Sequence, residues 1–350
     1  MDTDDLNLTF SDTTPDCWSY YKHNATNETS INSEVDDSDF RLMTITFTLY
    51  IIIFVLGTIG NGLVIWIAGF RMKKTISTVW FLNLAIADFL CCASLPLRIA
   101  EWSYFFSNYV EHTEDFCIAN IILFNLNVSA SVLLLTAMSI DRCVSVLWPF
   151  WAKVHRTHRL VRISAAIIWV LSLLLTGIVY YLYRVLLKDI FEWCILSWII
   201  KNNLLNRKRT IQLIRLLIMF LIPFLIILIS YVIVFLKIRK CKRSHRSQRP
   251  YRIITAVILG FFICWLPYYI WPLTPIYYKP AYDIQFYVVN TIVTNLACLN
   301  SCINPIIYIF MGQNVKIGFF GSIPSRLQRA FSEHPNDLQE DYEHTATTDV

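Results

Sequence analysis

Seven long apolar stretches, separated by short polar segments, dominate the hydropathy pattern of this chain. They run over Met43–Phe70, Thr78–Glu101, Cys117–Leu147, Val161–Arg184, Ile211–Leu236, Ile253–Leu273 and Phe286–Phe310. Each exceeds the ~20 residues that an α-helix needs to cross ~30 Å of hydrocarbon. Because a segment in lipid must satisfy its own backbone N–H and C=O groups, each stretch is predicted to be a helix. The pattern therefore predicts an all-α membrane protein, a seven-transmembrane helix bundle.

Four prolines lie inside these stretches: Pro96, Pro223, Pro267 and Pro305. A proline removes one backbone hydrogen bond and clashes with the preceding turn, which ends most helices in water. In a membrane bundle, neighbouring groups compensate for that loss. We therefore expect kinks rather than breaks at these positions.

The composition agrees with a membrane protein. Of the 350 residues, 56% are hydrophobic and 16% are charged, whereas soluble domains hold about 45–50% and about 25%. Aromatic residues make up 15% of the chain, which is consistent with rings that lie at a membrane–water interface. We find no metal-binding spacing, no nucleophile–base set and no phosphate loop, and so predict that the chain is not an enzyme.

The two ends of the chain are polar, and the first is acidic. The first forty residues hold ten acidic side chains against one basic residue, Lys22, a composition that cannot bury enough apolar surface to fold alone. Residues 1–42 are therefore predicted to be a disordered tail without a signal peptide. Residues 43–311 form the bundle, 312–323 a short amphipathic helix and 324–350 a second disordered tail. The first tail carries sequons for glycosylation at Asn7, Asn24 and Asn27.

The distribution of Lys and Arg predicts the orientation of the bundle. One side holds 18 of these residues and the other 11, with Arg142 left out because it belongs to a motif described below. The richer side is expected to be cytoplasmic, which puts the N-terminus outside the cell, in agreement with the sequons. Three cysteines are then extracytoplasmic. A disulfide between Cys117 and Cys194 would hold the second outer loop over the bundle, and Cys17 would be a free thiol or an intermolecular contact.

Polar residues inside the apolar spans are costly and are commonly paired or functional. The carboxylate of Asp88 lies in the middle of the second span. Neutral polar residues are expected at a similar depth, at Asn61, Asn127, Ser131, Asn300, Ser301 and Asn304. A single polar residue inside a span would be explained by one hydrogen bond to a neighbouring helix. Together they indicate a hydrated pocket that could hold a sodium ion beside Asp88.

Three further positions have the features of conformational switches. At the predicted cytoplasmic end of the third span, the acid Asp141 is followed directly by the guanidinium of Arg142. The simpler explanation for this motif is an Arg side chain that snorkels toward the water. Trp265 places a large ring two residues before the kink at Pro267. Tyr308 follows Pro305 and could reach another helix near the cytoplasm.

These motifs occur in order on successive spans, and together they resemble the rhodopsin-like (class A) G-protein-coupled receptors. The resemblance covers about residues 43–321. It rests on Gly60-Asn61-Gly62-Leu63-Val64, Leu84-Ala85-Ile86-Ala87-Asp88, Asp141-Arg142-Cys143, Cys264-Trp265-Leu266-Pro267 and Asn304-Pro305-Ile306-Ile307-Tyr308, with the Cys117/Cys194 pair. Segments such as Ser139–Leu147 and Phe310–Gln313 are similar to the chemoattractant branch, the chemerin-like and formyl peptide receptors.

The resemblance implies a plasma-membrane receptor for a peptide or small-protein chemoattractant, either chemerin-like or formyl-peptide-like. Two departures argue against a formyl-methionyl peptide. Asn125 stands where formyl peptide receptors carry an Asp, and of their two Arg in the fifth span only Arg215 is present, with Ile211 at the other position. The residues that we expect to bind the ligand are Arg98, Glu101, Asn125, Arg215, Tyr268 and Tyr269. Alternatively, Arg215 could snorkel toward the outer water, and the two tyrosines could belong to an aromatic belt at the membrane interface.

On the cytoplasmic side, the resemblance implies an inhibitory-type heterotrimeric G protein as partner, with Tyr231 and Tyr308 as activation residues. The basic third loop would bind either that G protein or anionic membrane lipids. The second tail offers Ser332, Thr345, Thr347 and Thr348 among acidic residues. Phosphorylated, they could pair with basic grooves of an arrestin.

Two other classes of membrane protein are alternatives. A scavenging receptor would bind the same ligand without coupling to a G protein, although Arg142, Tyr231 and Tyr308 argue for coupling. A channel or transporter would need internal repeats or helices broken at corresponding places, and we find neither.

Overall fold

The computed structural model describes residues 32–71, 75–106, 113–187, 202–240, 249–274 and 284–311. Nearly all of these residues are helical, and no strand occurs among them. The helices are α1 (Asn32–Trp66), α2 (Ile76–Phe106), α3 (Thr113–Leu147), α4 (Pro149–His155), α5 (His158–Leu187), α6 (Asn202–Leu216), α7 (Ile222–Lys240), α8 (Arg249–Ile270) and α9 (Ile284–Met311). The described residues divide into two units between Ile45 and Thr46, and the contacts below lie in the second.

The prediction of a seven-helix membrane bundle is confirmed. Six helical stretches in the described ranges are long and apolar enough to cross a membrane, and a shorter apolar one follows at Ile292–Tyr308. The fifth predicted span consists of α6 and α7, joined by a π-helical turn at Leu217–Leu221. The short helix α4, between the third and fourth spans, was not predicted.

Local chemistry sets where several helices begin. Thr75 precedes α2 and accepts a hydrogen bond from the backbone N–H of Thr78 at 3.2 Å. Thr157 precedes α5 and accepts one from Leu160 at 3.2 Å. Such threonine caps satisfy N–H groups that the first turn leaves open. Pro149 occupies the first position of α4, where its missing N–H costs nothing.

The prolines behave as the sequence predicts for a membrane bundle. Pro96, Pro267 and Pro305 lie inside α2, α8 and α9, which continue through them. Pro223 lies just inside α7, directly after the π-helical turn. The wider turn accommodates the carbonyl groups that a proline ring would otherwise clash with.

Helix α3 lies at the centre of the bundle and packs against α2, α5 and α7, while α8 packs against α9. Trp169 of α5 donates a hydrogen bond to Asn83 of α2, with 2.9 Å between Nε1 and Oδ1. Large apolar side chains on α5 and α7 point outward, among them Ile167 and Leu225. Lipid accounts for this exposure, because soluble proteins do not expose so extended an apolar surface.

Cysteines in the spans act as small apolar residues. The free cysteines of the described residues are all buried: Cys91, Cys92, Cys143, Cys264, Cys298 and Cys302. The closest packing involves Gly57 of α1. A Cβ atom added there would lie 2.2 Å from Sγ of Cys92 and 3.1 Å from Sγ of Cys302. Only glycine lets α1 approach these sulfur atoms.

Candidate functional site

Arg215, in the last turn of α6, is a buried cation. Its side chain is only 4% exposed. Nη2 donates to Oδ1 of Asn125 on α3 at 2.9 Å, and Nη1 donates to Oε1 of Gln212 at 3.2 Å. The sequence explanation of a snorkelling Arg is therefore wrong for this side chain, because it points into the bundle and is held by α3.

Two aromatic rings of α8 complete the surroundings of Arg215. Its Cζ lies 5.9 Å from the ring centre of Tyr268 and 6.0 Å from that of Tyr269. These distances are typical of cation–π contacts. The amide nitrogen of Asn125 donates to the carbonyl oxygen of Ile121 at 2.8 Å, which leaves its oxygen turned toward Arg215. In these contacts, the guanidinium of Arg215 meets amide oxygens and aromatic rings, all of which are neutral.

Phe124 of α3 connects this cluster to Arg98 and Trp265, and it was not among the residues predicted from the sequence. Its ring centre lies 6.0 Å from Cζ of Arg98, 5.1 Å from the ring of Trp265 and 5.3 Å from that of Tyr268. The one feature of the sequence that could have identified Phe124 is its position next to Asn125. Four of the predicted ligand residues, Asn125, Arg215, Tyr268 and Tyr269, are thus in contact, and Arg98 joins them through Phe124. The side chain of Glu101 lies outside the described residues.

Trp265 lies at the base of this cluster and is fully buried. Its ring centre is 5.7 Å from that of Tyr268, 6.4 Å from that of Tyr269 and 5.9 Å from that of Phe261. A displacement of either tyrosine therefore presses on the ring two residues before Pro267. Trp265 and Pro267 lie together on α8, and the rings of Tyr268 and Tyr269 contact both Trp265 and the buried arginine.

Asp88 is the centre of a buried polar cluster between α2, α3 and α9. Its Oδ1 accepts a hydrogen bond from Asn127 at 3.2 Å, and its Oδ2 accepts one from Asn304 at 2.6 Å. Asn61 of α1 donates to the carbonyl oxygen of Ser301 at 2.8 Å. The predicted grouping of a carboxylate with amides from several helices is thus present.

The residues around Asp88 fit a small hard cation. Several buried polar atoms in this region have no hydrogen-bond partner among the described residues: Oδ1 of Asn61, Oδ1 of Asn127, Oγ of Ser131 and both side-chain polar atoms of Asn300. Ser131 and Asn300 are both buried. Hard cations prefer oxygen ligands, and buried polar atoms without partners commonly bind an ion or water. In the described part of the chain, no three His, Cys, Asp or Glu residues converge for a transition metal.

Near the end of α3, Asp141 forms an ion pair with Arg156, which directly follows α4. Nε and Nη2 of Arg156 each donate to one carboxylate oxygen at 2.7 Å. Arg142, the neighbour in sequence, donates to the hydroxyl group of Ser77 on α2. The sequence did not predict this ion pair, since a partner fifteen residues away is not apparent from the motif.

Tyr308 and Tyr231, the other predicted switch residues, lie in the bundle core. Tyr308 is fully buried, and its ring meets that of Phe81 edge to face at 5.0 Å. Tyr231 of α7 is partly buried against the same core. Tyr308 thus joins α9 to α2, as its place after Pro305 predicted.

Several predictions fall outside the described residues and stay predictions. They concern the Cys117–Cys194 disulfide and Cys17, the helix at 312–323, the glycosylation sites Asn7, Asn24 and Asn27, and the phosphorylation sites Ser332, Thr345, Thr347 and Thr348.

Comparison with known proteins gives a consistent result. The family model described as 7 transmembrane receptor (rhodopsin family) matches residues 60–308. Chemerin-like receptor 1 of Sus scrofa is 38% identical over 299 residues, 81% of this chain and 81% of that protein. Formyl peptide receptor 2 of Mus musculus is 37% identical over 304 residues, 81% and 84% of the two chains. The C3a anaphylatoxin chemotactic receptor of Oncorhynchus mykiss is 35% identical over 315 residues, 88% and 84%.

Proposed function

This chain belongs to the rhodopsin family of seven-transmembrane receptors, and we propose that it binds an extracellular peptide or small-protein chemoattractant and signals through an inhibitory-type G protein. Membership makes it a multi-pass protein of the plasma membrane and not an enzyme. The similar proteins are chemoattractant receptors for chemerin-like, formyl peptide and complement ligands. By the distribution of Lys and Arg, its N-terminus is extracellular.

The observation that carries the ligand proposal is the contact between Arg215 and Asn125. A guanidinium offers five N–H donors, and two of its nitrogens here donate to neutral amide oxygens. A carboxylate forms a stronger, charge-assisted pair with Arg than an amide does. A ligand with a C-terminal carboxylate or an acidic side chain therefore competes with Asn125 for Arg215.

The aromatic residues around Arg215 would transmit this change of partner to the interior of the bundle. When the ligand draws Arg215 away from Asn125, the rings of Tyr268 and Tyr269 lose a cation–π partner. Both contact Trp265, so the segment of α8 around Pro267 adjusts its packing. A tilt of α8 about this proline opens the cytoplasmic end of the bundle.

At the cytoplasmic end, opening frees Arg142 from Ser77 to contact the G protein. Tyr231 and Tyr308 turn into the space that α8 leaves and stabilise the open state. After phosphorylation, Ser332, Thr345, Thr347 and Thr348 recruit an arrestin, and the basic third loop binds anionic lipid.

We also propose that Asp88 binds a sodium ion that favours the closed state. The carboxylate supplies the charge, and Asn127 and Ser131 supply neutral oxygen atoms. Bound there, the ion offsets the charge of Asp88 and joins α2 to α3. A conformational change that brings these helices closer expels it.

The test is a screen of the full-length receptor in cells against chemerin-like, complement-like and formylated peptides. We expect at least one to activate an inhibitory-type G protein, with the response abolished by Arg142→Ala at equal surface expression. Uptake of a peptide with no G-protein activation of any class would instead identify a scavenging receptor. Saturable transport or ion current without peptide binding would contradict both.

A further inference from the structure

An exposed hydroxyl group lies in the short link between α4 and α5. This link consists of Arg156 and Thr157. The side chain of Thr157 is exposed, and its Oγ1 accepts a hydrogen bond from the backbone N–H of Leu160 at 3.2 Å. The hydroxyl groups of Ser139 and Ser145 on α3 instead donate to carbonyl oxygens of their own helix. Of these three hydroxyl groups, Thr157 is the one that a modifying enzyme can reach.

Basic side chains flank Thr157 on both sides. Arg156 directly precedes it, Lys153 lies four residues before it, and Arg159 lies two residues after it. Lys153 and Arg159 are exposed. Residues 149–162 contain no Asp or Glu, so the positive charge of this segment is not offset along the chain. An enzyme with an acidic substrate cleft would therefore be attracted to this hydroxyl group.

We propose that Thr157 is phosphorylated by a protein kinase that selects basic substrates. In this reaction, Oγ1 of Thr157 attacks the γ-phosphorus of ATP. The new P–O bond forms while the bond to the bridging oxygen breaks, ADP leaves, and the hydroxyl proton passes to an aspartate of the kinase. The proposal rests on the proposed orientation of the bundle, which places this link in the cytoplasm together with kinases and ATP.

The phosphate would lie beside the ion pair that fastens α4 to α3. Arg156 donates to both carboxylate oxygens of Asp141 at 2.7 Å, and that carboxylate carries a single negative charge. A phosphothreonine carries about −1.5 to −2 and offers three acceptor oxygens. Being attached to the next residue, it competes with Asp141 for the guanidinium of Arg156. Phosphorylation thus weakens the attachment of α4.

Basic residues are common on the cytoplasmic side of any membrane protein, and threonine is an ordinary helix cap. What distinguishes Thr157 is that its exposed hydroxyl group directly follows the residue that carries the ion pair. A modification at this position therefore acts on the contact between two helices, whereas one elsewhere on an exposed helix face would not.

The experiment incubates the full-length receptor, purified in detergent, with ATP and the catalytic domain of protein kinase C, and maps the phosphate by mass spectrometry. Phosphate should appear on Thr157 in the wild type and on the serine in T157S. The matched control T157N keeps a good helix cap but has no hydroxyl group, so it should carry no phosphate at this position. R159Q should be modified several-fold more slowly, because one of the flanking charges is lost.

Hydrogen exchange then measures the ion pair. In the phosphorylated wild type, the backbone amides of α4 should exchange several-fold faster than in the unmodified receptor. Arg156→Ala should show the same increase without phosphate, and its phosphorylation should add nothing further. T157N treated with the kinase should exchange as before. No G protein takes part, so a failure of the proposed signalling function would leave these results unchanged.

Three results overturn the proposal. The receptor could remain unmodified at Thr157 while the kinase modifies a synthetic peptide of residues 150–163, which would mean that the folded link excludes the enzyme. If the peptide were not modified either, the flanking charges would not recruit such a kinase. Phosphate on Thr157 without faster exchange in α4 would mean that Arg156 stays with Asp141.

Discussion

Asp141 and Arg156 form a two-point ion pair that fastens helix α4 to the end of α3. Both N···O distances are 2.7 Å, and the side chains are 12% and 15% exposed. A two-point Arg–carboxylate pair of this kind is geometrically specific as well as strong. It lies beside Arg142, so its state affects the residue that we expect to contact the G protein.

Arg156→Ala should raise signalling in the absence of ligand. The substitution leaves Asp141 partly buried without the guanidinium, and this disfavours the closed arrangement. We expect basal nucleotide exchange on the G protein to increase several-fold, measured in membranes with matched receptor amounts. Lys153→Ala, an exposed charge on the same short helix, is the control and should leave basal exchange unchanged. A normal basal rate in Arg156→Ala would show that the pair is structural only.

Arg215→Ala should weaken the binding of an anionic ligand while the receptor still reaches the cell surface. A charge-assisted hydrogen bond contributes about 1.5–3 kcal/mol, which corresponds to a loss in affinity of about 10- to 150-fold. The measurement is competition binding with the peptide found in the functional screen. Arg209→Ala, an exposed basic residue on the same helix, should keep near-normal affinity. Equal affinity of Arg215→Ala and the wild type would remove Arg215 from the ligand site.

Asn125→Asp should also reduce affinity, although it preserves the size of the side chain. The new carboxylate would lie where Oδ1 of Asn125 now accepts from Arg215 at 2.9 Å. It would compensate the guanidinium internally and repel the acidic group of the ligand. We expect a smaller loss with Asn125→Ala, because that change adds no negative charge. If Asn125→Asp bound the ligand more tightly than the wild type, the ligand would present a cation here.

Asp88→Asn should abolish the effect of sodium on agonist affinity. In the wild type, agonist affinity should fall as sodium replaces a large organic cation at constant ionic strength, because the ion favours the closed state. The amide removes the charge that attracts the ion while keeping a similar shape. A sodium effect of the same size in Asp88→Asn would place the ion elsewhere.

Gly57→Ala should destabilise the bundle where α1 meets α2 and α9. The added methyl group would lie 2.2 Å from Sγ of Cys92, so a side chain or helix must move. Overpacking of this kind costs about 1–3 kcal/mol. Thermal unfolding of the detergent-solubilised receptor should show a lower midpoint, and the second substitution Cys92→Ala should restore most of it. Gly177→Ala is the control, since a Cβ there meets nothing within 4 Å.

Much of the candidate site was accessible from the sequence because polar residues inside apolar spans are conspicuous. Asp88, Asn127 and Asn304 were grouped in this way, and the structure brings them together. The partners Phe124 and Arg156 were missed for the opposite reason. An aromatic residue in an apolar span and a basic residue in a loop are both ordinary for their surroundings, so nothing in the pattern marks them.

The sequence by itself determined the number of spans, their approximate limits and the continuation of the helices through their prolines. Hydrocarbon imposes that result locally, because any apolar segment of sufficient length must satisfy its own backbone groups. Only the tertiary structure decided that Arg215 meets Asn125, ninety residues away, and that Asp141 pairs with Arg156. Such pairs depend on the rotation and depth of each helix in the bundle. Those are set by side-chain packing between helices, and the pattern along one helix does not contain them.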